Sequence, residues 1–158
     1  MTETNDTDQA NGPRAPEPHP KLRELDVLEG TWRLEGRDLA GGAPFTGTVQ
    51  RRWLPGGYFL VQEMRIGDEE QTGAEYIGYD HDQGTLRSML FGSGGPGPFC
   101  SFALEYIWQI EGDDLTIWHG YKDSPARFTG TIDRTAGTIV GRWEWPGGGY
   151  EATTTRVP

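Results

Sequence analysis

Three histidines and one cysteine are the whole stock of imidazole and thiol chemistry in this 158-residue chain. His119 is the histidine best placed for use: in the run 114–121 it shares alternate positions with Leu115 and Ile117, opposite Thr116, Trp118 and Gly120. Two-residue alternation puts such a set on one face of a strand. An imidazole held among apolar side chains can act as general base or as hydrogen-bond donor to a bound molecule, so His119 is the candidate catalytic residue. The plainer alternative is a strand-end histidine satisfied by a carbonyl or by water. Gln62, Tyr79 and Tyr106 add polar points within apolar runs. Small-molecule pockets fix orientation with a few such groups. Trp32, Trp108 and Trp143 supply flat packing surfaces.

Other chemistries are disfavoured by spacing. Asp80-His81-Asp82 offers three metal-capable side chains, but adjacent residues in a turn cannot all converge on one ion, and no zinc spacing occurs elsewhere. No metal site is expected. Gly92-Ser93-Gly94-Gly95-Pro96-Gly97 matches G-x-G-x-x-G letter by letter, yet it leads into a strand and contains a proline. The helix N-terminus that binds a pyrophosphate is therefore missing, and the segment reads as a flexible connection or a gate. Cys100 has no basic neighbour to stabilise a thiolate and reads as an inert thiol. With 24 acidic against 14 basic side chains the net charge is -10. That balance repels phosphate backbones and anionic membranes, so neither nucleic acid nor a membrane is an expected partner.

The elements that would position these groups are strands. Hydrophobic residues make up only 34% of the chain, while six Trp, six Tyr, six Phe and 24 Gly suit short strands joined by tight turns. Residues 1–20 hold four prolines and no Leu, Ile, Val or aromatic residue, which predicts a disordered tail ahead of a single domain over 21–158. Leu22, Leu25 and Leu28 between Pro20 and Gly30 predict one short helix. Ten strands follow, at 31–38, 46–54, 57–66, 73–80, 84–92, 99–110, 114–121, 126–133, 137–145 and 149–157, separated by glycine-bearing turns. Short turns make sequence neighbours antiparallel neighbours, and ten such strands avoid two exposed edges by closing. The expected fold is all-β: an up-and-down, lipocalin-like antiparallel β-barrel with a short N-terminal helix.

Alternation also sorts the faces. Trp32 and Leu34 should point inward, as should Tyr58, Leu60, Gln62, Met64 and Ile66, the set that leaves Glu63 and Arg65 outside. Phe102, Leu104, Tyr106, Trp108 and Ile110 form another inward set, and Ile139, Trp143 and Trp145 a fourth.

The phrases Gly30-Thr31-Trp32, Trp53-Leu54-Pro55-Gly56-Gly57-Tyr58-Phe59-Leu60, Tyr76-Ile77-Gly78-Tyr79-Asp80 and Trp143-Glu144-Trp145-Pro146-Gly147-Gly148-Gly149-Tyr150 resemble the domain of unknown function 1579 family over about residues 22 to 157. The resemblance implies a lipocalin-like (calycin) barrel and no established reaction. Gly30-Thr31-Trp32-Arg33 is also similar to the opening of nitrobindin, a haem-binding barrel whose axial histidine lies near the C-terminus. Tyr150 to Val157 contains no histidine, so no cofactor is expected.

The functional expectation is binding of a small apolar or aromatic metabolite in the barrel, with Trp32, Gln62, Tyr79, Tyr106, Trp108, His119 and Trp143 as ligand-binding residues. Two alternatives stay open: a small barrel enzyme that isomerises or cyclises a confined substrate, and a filled barrel that serves as an interaction module. One cysteine and no signal-like apolar run point to the cytoplasm. Oligomeric state is open, a homodimer included.

Overall fold

The computed structural model describes residues 17–68 and 71–158. The tail expected over 1–20 lies, for residues 1–16, outside the described residues; His19 within it is ordered, stacking on Tyr79 at 3.7 Å between ring centroids. Ten strands form one closed antiparallel barrel: β1 (Gly30–Asp38), β2 (Pro44–Trp53), β3 (Leu60–Ile66), β4 (Gln71–Asp80), β5 (Thr85–Gly92), β6 (Leu104–Glu111), β7 (Asp114–His119), β8 (Arg127–Asp133), β9 (Thr138–Trp145) and β10 (Gly148–Arg156). Each strand pairs with the next, and β1 pairs with β10, Trp32 facing Arg156, so no edge is left over. Among the described residues no helix is long and apolar enough to cross a membrane.

The short helix Pro20–Leu28 is of the 3-10 type over nine residues. Its leucines explain this: at a spacing of three, Leu22, Leu25 and Leu28 fall on one line when there are three residues per turn, and all three are buried. They close one end of the barrel against Trp32, Leu60, Ile77 and Leu86. Three side chains tie the helix to the wall. The Trp32 indole donates to the Leu28 carbonyl at 2.8 Å, Trp53 donates to Asp26 at 2.9 Å, and Arg156 donates to the carbonyls of Val27 and Glu29. The Trp32 ring lies against two guanidinium groups, that of Arg156 at 4.4 Å and that of Arg51 at 5.6 Å.

Two expectations about the sixth strand need correction, its start and the inward place of Phe102. The sixth strand starts at Leu104, not at 99, because Gly97–Phe99 forms a separate 3-10 turn. Alternation therefore cannot be carried back to Phe102, whose side chain is 72% exposed and meets Phe91 edge-on at 5.9 Å. The Asp80-His81-Asp82 segment is a turn whose first carboxylate accepts from the amides of Asp82 and Gln83, while Gly84 takes the positive φ the turn requires. Arg87 donates to the same carboxylate at 2.9 Å and holds it below the usual Asp range.

Glycines make room inside the wall. Gly130 shares the inward face of β8 with Phe128, and a β-carbon there would come within 2.6 Å of the Phe128 ring and 3.1 Å of the Val140 carbonyl. We expect Gly130→Ala to push that ring into the cavity and to lower stability by about 1–3 kcal/mol, the usual result of overpacking. Urea unfolding monitored by tryptophan fluorescence measures it, and an unchanged midpoint would show that the ring moves freely.

Candidate functional site

The interior is not filled by its own side chains. A cavity of about 770 Å³ runs from the level of Arg51 and Trp108 to the end opposite the helix, where His119 closes β7 and Trp145 closes β9. Its wall is mostly apolar, with Leu34, Val49, Met64, Leu90, Leu104 and Ile117 among the aliphatic contributors. Tyr106, Trp143 and His119 form one aromatic corner: the Tyr106 ring is 5.6 Å from Trp143 and 5.5 Å from His119. Cross-strand pairing produces it, since Tyr106 faces His119 between β6 and β7. Burial raises the Tyr106 and Tyr150 phenols well above the ordinary range, and the Glu75 charge adds to this, so both stay protonated donors.

Of the residues expected from sequence, Gln62, Tyr106, Trp108, His119 and Trp143 line this cavity. Trp32 and Tyr79 do not. Trp32 is buried in the plug beside the helix, and Tyr79 lies near the plugged end of β4 against His19 and His81. Tyr79 shares the inward parity of Glu75 and Ile77, but at the second-last position of its strand it is already level with the helix rather than the cavity.

Sequence reasoning missed a buried polar chain across the cavity floor. The Trp108 indole donates to Ser88 Oγ at 2.8 Å, and Ser88 donates to Glu75 Oε1 at 2.6 Å. Gln62 donates to Glu75 Oε2 at 2.7 Å, and its own oxygen accepts from Arg51 Nε at 2.6 Å. These partners settle the orientation of the Gln62 amide, since its oxygen must face the guanidinium. Arg51 pairs with Gln62 across β2 and β3, and Gln62 pairs with Glu75 across β3 and β4, so the chain follows the sheet register. All four polar members are buried. Loss of water raises the Glu75 carboxyl above its usual value, against the pull of Ser88, Arg51 and Gln62; burial also lowers Arg51 to about 10. The signal available in the sequence was parity: Arg51 alternates with Val49 and Trp53, Glu75 with Ile77, and Ser88 with Leu86 and Leu90.

Ser88 both accepts and donates in this chain. Ser88→Ala should therefore cost about 1–3 kcal/mol by stranding the Trp108 N–H and removing a donor from Glu75. Equal urea midpoints for the two proteins would show that the hydroxyl is dispensable.

No family model matches this chain, and no curated protein matches its sequence.

Proposed function

We propose that the barrel binds one small, mostly apolar molecule in the cavity described above. The observation that carries this reading is a space of about 770 Å³ with an apolar and aromatic wall and a few fixed polar groups, the usual composition of a small-molecule site. Tyr106, Trp108 and Trp143 are its aromatic packing surfaces; Gln62 and His119 are its polar contacts. The plug end is filled by Leu22, Leu25, Leu28 and Trp32, so the ligand enters from the end where His119 and Trp145 stand. Assignment to the domain of unknown function 1579 family belongs to the same reading and rests on the turn glycines and core aromatics of the sequence.

Native mass spectrometry of the protein incubated with a mixture of apolar and aromatic small molecules tests it. One retained molecule per chain is the expected result; a spectrum of unliganded protein alone, under conditions that preserve weak complexes, would refute it. The buried Glu75 carboxyl beside an apolar cavity keeps one further reading open, an isomerase or cyclase acting on the same molecule. Recovery of a rearranged product from the bound fraction would distinguish catalysis from binding.

A further inference from the structure

The polar chain on the cavity floor is complete at every group except one. Glu75 accepts at both oxygens, Gln62 uses both ends of its amide, and Ser88 both accepts and donates. Arg51 donates through Nε to Gln62, and among the described residues its Nη1 is buried with no hydrogen-bond partner. The side chain is 9% exposed and lines the cavity. Leaving a buried guanidinium N–H unpaired is costly, so the group calls for an acceptor from water or from a bound molecule.

Charge points the same way. Glu75 does not touch Arg51, because the Gln62 amide stands between them. Arg156 lies against the same Trp32 ring as Arg51 and adds a second positive charge. Arg156 is exposed and spends its guanidinium on the Glu29 and Val27 carbonyls, so Arg51 is the buried cation of the floor, one amide removed from the Glu75 carboxyl. The lowering of Arg51 to about 10 has the same origin: burial is its largest cause, Glu75 offsets it in part, and Arg156 adds to it. The group is still a cation at neutral pH.

We propose that the molecule held in the cavity ends in a carboxylate, which the guanidinium of Arg51 receives at the floor while its apolar remainder lies along Met64, Leu90, Leu104 and Trp143. This rests on the binding function proposed above and names its ligand class. A carboxylate oxygen accepts a charge-assisted hydrogen bond from a guanidinium N–H, roughly twice as strong as the bond a neutral oxygen accepts. A neutral alcohol or ester offers Arg51 only an uncharged acceptor.

Isothermal titration of the unmodified protein with dodecanoate, dodecanol and methyl dodecanoate tests the inference without any substitution. Dodecanoate should bind more tightly than the other two by on the order of tenfold or more. Arg51→Gln should bring the acid down to the level of the alcohol, and circular dichroism of that variant checks that the barrel is kept. Equal affinities for acid, alcohol and ester would overturn the carboxylate while leaving the binding function standing. A preference for the acid that survives Arg51→Gln would overturn the role of Arg51. No heat from any of the three, with no mass-spectrometric retention of other small molecules, would overturn both readings together.

Discussion

Trp32→Ala should lower the stability of the barrel by about 3–5 kcal/mol, the range for removing a large buried aromatic side chain. Trp32 is 1% exposed and joins three parts of the plug. Its ring packs in the core with Leu22, Leu25 and Leu28, its N–H satisfies the Leu28 carbonyl, and its faces lie beside the guanidinium groups of Arg51 and Arg156. Deletion opens a cavity beneath the helix and strands a carbonyl at the helix end in one step. Trp32→Phe separates these contributions: it keeps most of the packing and loses the hydrogen bond, so its cost should fall near 1–3 kcal/mol. Chemical unfolding of both variants gives the comparison. Equal and small losses would mean that the helix is not what closes this end.

Glu75→Leu should be nearly as damaging. It leaves Arg51 as a buried cation with no carboxylate in its chain, and breaking a buried charge pair from one side typically costs about 3–5 kcal/mol. The double variant Arg51→Met with Glu75→Leu should recover most of that loss, because replacing both charges by apolar groups removes the uncompensated ion. A double variant no more stable than Glu75→Leu would show that Arg51 is not the source of the penalty.

The same carboxyl sets a pH dependence. Burial raises its folded-state pKa above the ordinary value of 4.5, against the pull of Ser88, Gln62 and Arg51 on neighbouring strands; the Tyr106 and Tyr150 phenols nearby stay protonated. Between 4.5 and the raised value the folded chain holds a proton that the unfolded chain has released. Stability contributed by Glu75 is thus present below that window and is lost as pH rises through it. Subtracting the Glu75→Gln curve from that of the unmodified protein isolates this slope, which should be negative; a flat difference would place the carboxyl in a solvated setting.

Much of the barrel was legible because its signals are local. Glycine-bearing turns at short intervals marked the hairpins, and alternation placed Trp108, Ile117 and Ile139 inside, where the core holds them. The three leucines of the helix were read correctly as one face, but their spacing of three also specified the tighter 3-10 turn, which helix-pattern reading passed over. Phe102 was misread because the non-strand segment Cys100 to Ala103 resets parity, and no residue type announces it. Tyr79 was placed on a plausible face but at the wrong height, which depends on where the helix ends the cavity.

Arg51, Glu75 and Ser88 escaped for a different reason. The rule that turned Glu63 and Arg65 outward is sound for isolated charges and silent about a chain linked across four strands. Only the register of β2 to β5, fixed by the closed sheet, sets Arg51, Gln62 and Glu75 opposite one another and Ser88 one diagonal step away, opposite Ile77.

Titration with the neutral fluorescent probe N-phenyl-1-naphthylamine, with and without Leu104→Trp, tests the central claim that the barrel encloses a usable ligand site. Leu104 lines the cavity, and an indole there takes up part of the space. One saturable site per chain, with energy transfer from Trp108 and Trp143, and a loss of at least roughly tenfold in affinity in the filled variant, is the predicted result. Binding that is absent in the unmodified protein, or that survives the filling unchanged, would contradict it.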